Sequence, residues 1–147
     1  MRKKQHPTLF METTKIEPTQ TVSEIQKTLG QYGASQILTE YASGEVTGIS
    51  FKIIVKGSDL PFRLPCRYES IMEVLISRKK RVQARTDIRG QAKRVAWRQI
   101  LRWVEAQLAL TTTKMVSIEE VFLPYLQGKD GKTLYESLSE NKFKMLT

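Results

Sequence analysis

Between residues 45 and 55 the chain alternates, Ile49, Phe51, Ile53 and Val55 against Ser50, Lys52 and Ile54, the period of two expected of a strand with one buried face. Residues 35–41, with Ile37, Leu38 and Tyr41, predict a strand before it, and Ala42-Ser43-Gly44 predicts the hairpin turn between the two, glycine supplying a positive φ. Gly57-Ser58-Asp59 predicts a second turn into a short third strand, residues 60–64, which Pro61 and Pro65 assign to an edge because proline gives no ladder donor. Upstream the period changes. Val22, Ile25 and Leu29 fall at i, i+3 and i+7, one stripe of a helix. Thr21 as N-cap with Glu24 as its capping-box partner would open that helix, and Gly30 and Gly33 would stop it after about Gln31. The polar residues 12–17 predict a further edge strand that ends at Pro18.

The second half is helical in pattern. Residues 68–77 place Ile71, Val74 and Leu75 on one face, and a long helix is predicted from about Asp87, with Thr86 as N-cap, to about Leu110, ending in Thr111-Thr112-Thr113. Ser117 and Glu120 form a capping box for a short helix that Pro124 ends or kinks, and a Lys129-Asp130-Gly131 turn precedes a short terminal element over residues 133–138. The expectation is an α+β fold: an N-terminal helix on a small antiparallel sheet, followed by a helical C-terminal half with one long helix. The 147 residues suit one compact domain over residues 11–147, preceded by a flexible basic arm, residues 1–10, that carries Arg2, Lys3 and Lys4.

Charge sharpens this picture. The formal charge is +9, and residues 78–102 account for all of it: Arg78, Lys79, Lys80, Arg81, Arg85, Arg89, Lys93, Arg94, Arg98 and Arg102 against the single acid Asp87. On a helical wheel the apolar residues of the long helix cover roughly 220°. Arg94, Arg98 and Arg102, at i, i+4 and i+8, then read as a narrow arginine ridge on its solvent face. Like charges at that spacing cost an isolated helix about 0.2–0.5 kcal/mol per pair, so the row calls for an anion to screen it or for acids elsewhere in the fold to pair with it. A charged helix face is ordinarily just solvated; the adjoining residues 78–89 add six more bases with few large apolar residues, the pattern of a loop able to lie along a phosphate backbone. Seven arginines to three lysines in the segment favour bidentate phosphate contacts. Tyr41, Phe51 and Phe62 are candidate stacking residues for single strands, although aromatics alternating along strands are more commonly core. Trp97 and Trp103 lie on the apolar arc and read as core.

Other chemistries find little purchase. One cysteine, Cys66, and one histidine, His6, cannot make the usual zinc sites, and His6 in the arm is a poor partner for a nucleophile. Arg63 and Arg67 beside Cys66 could lower its pKa, but a small structural residue at a strand end is the simpler reading. The run from Gly128 to Thr133 lacks the first glycine of a phosphate loop, having Leu126 there. Three aspartates, Asp59, Asp87 and Asp130, form no recognisable nuclease cluster, so no cofactor, no metal and no catalytic residue is expected. The basic start lacks an apolar run behind it, no apolar stretch is long enough to span a bilayer, and a cytoplasmic protein without membrane partners is expected.

The run from Val95 to Leu110, with Val121-Phe122-Leu123-Pro124-Tyr125-Leu126, Thr133-Leu134-Tyr135-Glu136 and residues 14–62, resembles a group of small proteins met in phages, prophages and other mobile elements. The resemblance covers most of the chain from Met11 onward and implies no particular activity or ligand. It implies roles in handling replicating or recombining DNA, or in interfering with a host nucleoprotein complex. Two functions are therefore expected to compete. One is a non-catalytic protein that binds DNA or RNA, single strands included, through the basic loop and the ridge. The other is a protein-interaction or inhibitor module that turns the same basic surface to an acidic partner. An oligomer suits either.

Overall fold

The computed structural model describes residues 8–78 and 87–147. Strands β1 (Ala34–Ala42), β2 (Glu45–Val55) and β3 (Ser58–Pro65) form an antiparallel meander in that order. Each hairpin turns on two residues with positive φ, Ser43 (51°) with Gly44 (79°), and Lys56 (50°) with Gly57 (82°), the primed geometry that matches strand twist. The second turn thus closes earlier than predicted, and Ser58 and Asp59 belong to β3, paired with Val55 and Ile54.

The α+β architecture expected from the patterning is the one observed. α1 (Pro18–Gln31) packs on the sheet, and the C-terminal half is helical around the 25-residue α3 (Ile88–Thr112). Ile49, Phe51 and Ile53 of β2 and Phe62 and Leu64 of β3 are buried with Val22, Ile25 and Leu29 of α1 and Trp97, Leu101, Val104 and Leu108 of α3. Each such large apolar side chain contributes roughly 1.5–3 kcal/mol by leaving water. Phe51 and Phe62 face each other across the ladder, ring centroids 5.4 Å apart, and Phe122 meets Phe51 edge-on at 5.3 Å.

Two elements differ from expectation near the start. α1 begins at Pro18, with Glu17 rather than Thr21 as N-cap; proline at the first position has a preset φ, and its missing N–H is one the helix would leave unpaired anyway. Thr21 is thereby free to sit inside the helix, buried against α3. Residues 12–17 form no strand. A turn at 10–13 folds the chain, and Gln91 of α3 donates through Nε2 to the carbonyls of Glu12 (2.8 Å) and Thr14 (2.9 Å).

α2 (Tyr68–Arg78) lies against α3. Asp87 caps α3, accepting from Gly90 N at 2.8 Å, and Thr86, the cap expected from sequence, lies outside the described residues. The Ser117–Glu120 capping box opens α4 (Ile118–Phe122), and Pro124 sits in the 3-10 turn Leu123–Tyr125 that follows. Leu126 then pairs with Phe62, and Gln127 N donates to Pro61 O at 2.8 Å, which covers the β3 edge. Thr133 caps α5 (Leu134–Glu140). Among the described residues no helix is long and apolar enough to cross a membrane.

Candidate nucleic-acid interface

Of the ten bases expected to contact phosphate, Lys79, Lys80, Arg81 and Arg85 lie outside the described residues. The other six are placed by α2 and α3. Arg78 ends α2 and pairs with Glu12 at 3.4 Å. Arg89, on the first turn of α3, is exposed and holds its guanidinium 5.6 Å from the centroid of the Tyr68 ring. Lys93, one turn on, reaches the same ring at 4.9 Å, pairs with Glu45 at the β1–β2 hairpin and is buried.

The row Arg94, Arg98, Arg102 is not the open solvent face that the helical wheel predicts. Arg94 pairs with Glu17 at 3.3 Å and donates through Nε to Gln91 Oε1 at 3.0 Å. Arg98 is only 4% exposed; it pairs with Glu24 of α1 and donates to Thr21 Oγ1 at 3.5 Å, while its Nε has no partner among the described residues. Arg102 is exposed and pairs with Glu105 on its own helix at 3.0 Å. The physical reason is α1. Its N-cap Glu17 meets Arg94 and its Glu24 meets Arg98. Acids from elsewhere in the fold, the second of the two remedies for a row of like charge, are what the fold supplies.

Two of the three candidate stacking residues are corrected likewise. Phe51 and Phe62 are 2% and 0% exposed and offer no ring face to a base, because both lie in the core with side chains of α1 and α3 and with Phe122. Tyr41 is 65% exposed, at the end of β1 just past an irregularity in its pairing with β2.

The sheet's other face carries a polar cluster. Arg63 spans β2 to reach Glu40 with Nε and Nη2 at 3.0–3.2 Å, and Ser50 also donates to Glu40 at 3.2 Å. The hydrogen bonds from Arg63 hold the Glu40 carboxyl below the usual carboxylate value. Gly48 makes room for this clamp: a Cβ there would meet Glu40 Oε2 at 3.1 Å and Leu64 O at 3.2 Å. Cys66 is buried, and burial pushes its thiol up to about 12, aided by the Glu69 charge; the neighbouring arginines do not activate it. Among the described residues no three of His, Cys, Asp and Glu gather where they could hold a metal ion.

Sequence reasoning missed Gln91 and Gln99. Gln99 Nε2 donates to Phe10 O at 2.8 Å, so with Gln91 it ties residues 10–14 along α3. Their spacing of eight residues, on a helix face otherwise read as charge, is the only trace they leave in the sequence. Residues 8–10, assigned to the arm, are thus docked in part. Comparison with protein-family models, curated proteins and solved structures yields no match to this chain.

Proposed function

We propose that this is a non-catalytic nucleic-acid-binding protein that grips phosphates through residues 78–89, not through the arginine row of α3. One observation carries the reading. Of the six described bases, five have acidic partners, whereas Arg89 has none among the described residues. Arg89 closes a run in which Arg78, Lys79, Lys80, Arg81, Arg85 and Arg89 face the single acid Asp87. The concentration of base over acid therefore narrows to residues 78–89 of the sequence, a run whose charge suits backbone contact and counterion release. The resemblance to mobile-element proteins supports a role on DNA or RNA in that setting.

A second reading has an observation of its own. The outer sheet face leaves Leu38 and Ile54 each 64% exposed, which favours a protein-interaction module. Fluorescence anisotropy with single-stranded DNA, duplex DNA and RNA at several salt concentrations separates the two. If about five phosphates are neutralised, log affinity for duplex falls against log salt with a slope of about −4 to −5. Absence of binding to all three at 50–150 mM salt would sink the first reading in favour of the second.

A further inference from the structure

A hollow of about 310 Å³ lies between the end of β3, α2 and α3, with Leu64, Ile71 and Ile100 as apolar wall, Trp103 and Tyr125 as aromatic wall, and Arg67 also lining it. A second hollow shares Gln99 and Trp103 with it and is lined by Arg78 and Arg102 among others. Together their linings contain three arginines and no acid. Glu12 and Glu105 pair with Arg78 and Arg102 from outside those linings, whereas Arg67 is exposed and has no ion pair among the described residues. Trp103 meets Phe122 and Tyr125 edge-on, at 5.6 and 5.4 Å, and is only partly buried. Arg78, the first residue of the basic run, lines the second hollow; Arg89 lies over Tyr68, the neighbour of Arg67 in the chain, outside both linings.

We infer that the Trp103–Tyr125 hollow receives an unstacked base of a single-stranded nucleic acid, with Arg67 on the flanking phosphate and the strand continuing past Trp103 into the second hollow beside Arg78 and Arg102. The inference rests on the nucleic-acid reading and adds the strand state. An apolar aromatic recess with cations on its border is what a base and its phosphate present the complement to. A duplex keeps its bases stacked and cannot enter without unpairing. The site replaces Phe51 and Phe62, whose rings are inside the core.

The test is anisotropy of the full chain with labelled dT12, rU12 and a 12-bp duplex, together with tryptophan emission on titration with unlabelled dT12. Single strands are expected to bind more tightly than the duplex and to quench tryptophan emission. Trp103→Leu is expected to weaken dT12 binding by about tenfold or more, the effect of one lost base stack. Arg67→Glu, at an exposed position, keeps the test decisive if the Trp103 variant misfolds by circular dichroism, and it is expected to weaken dT12 binding severalfold. Duplex bound as tightly as single strands, or unchanged dT12 affinity in Arg67→Glu with unchanged tryptophan emission, overturns the inference. If in that case alanines at residues 79–81 and 85 still weaken binding, only the hollow is rejected; if no nucleic acid binds at all, the broader reading falls with it.

Discussion

Arg98 shows why a helical wheel misassigns a charged row. A guanidinium is expensive to desolvate, so a wheel places it in water by default; here Glu24 and Thr21 meet it under α1. Glu24→Gln leaves Arg98 buried beside a neutral group. It should cost about 2–3 kcal/mol in urea unfolding, less than the loss of a partner from a fully buried pair because Glu24 is partly exposed. Arg98→Met, which removes the charge and keeps the bulk, should cost less than that. Cys66 behaves as a packed residue: with its thiol pushed up to about 12, iodoacetamide at pH 8 should modify it only in denaturant, and rapid labelling of the native protein would refute its burial. These residue-scale facts were the least legible in the sequence. The acids that neutralise the row, Glu17 and Glu24, lie about 75 positions from Arg94 and Arg98 and count in the chain's charge sum only as acids among others, so that sum records their presence and not their pairing.

At the scale of elements, the period of two in β2, the i, i+3, i+7 stripe of α1 and the Ser117–Glu120 box each specify a local structure strongly, and each is found in place. Boundaries were lost where a local signal had a competitor. Thr21 reads as an N-cap until Pro18 opens the helix a turn earlier, and residues 12–17 read as strand because nothing in them announces Gln91 of α3, which holds the Glu12 and Thr14 carbonyls. The Glu40–Arg63 clamp belongs to this scale because it ties β1 to β3 across β2. Its carboxyl is held below its unfolded value, so its stabilisation is present above the ordinary carboxylate range and is lost as pH falls through the lowered value. A partly exposed pair of this kind is worth about 0.2–1 kcal/mol. Thermal unfolding of Glu40→Gln should therefore show a shallower loss of stability between about pH 5 and 3 than the wild type, and parallel curves would contradict the clamp.

For the whole molecule, the charge of +9 acquires a structure. The α3 row is part of the framework, held by acids from the N-terminal segment, α1 and α3 itself, and charge reversal of Arg94, Arg98 and Arg102 together should unfold the domain by setting new carboxylates against Glu17, Glu24 and Glu105. The basic run at residues 78–89 then carries the case for binding. The most direct test measures affinity for single-stranded and duplex DNA across a salt series, comparing the wild type with a variant in which Lys79, Lys80, Arg81 and Arg85 are all alanine. The variant should keep the wild-type circular dichroism and melting temperature, bind more weakly, and lose about 3 to 4 from the duplex log–log slope, close to one per phosphate contact removed. Equal affinity and equal slope in a folded variant would contradict the assignment of binding to this segment.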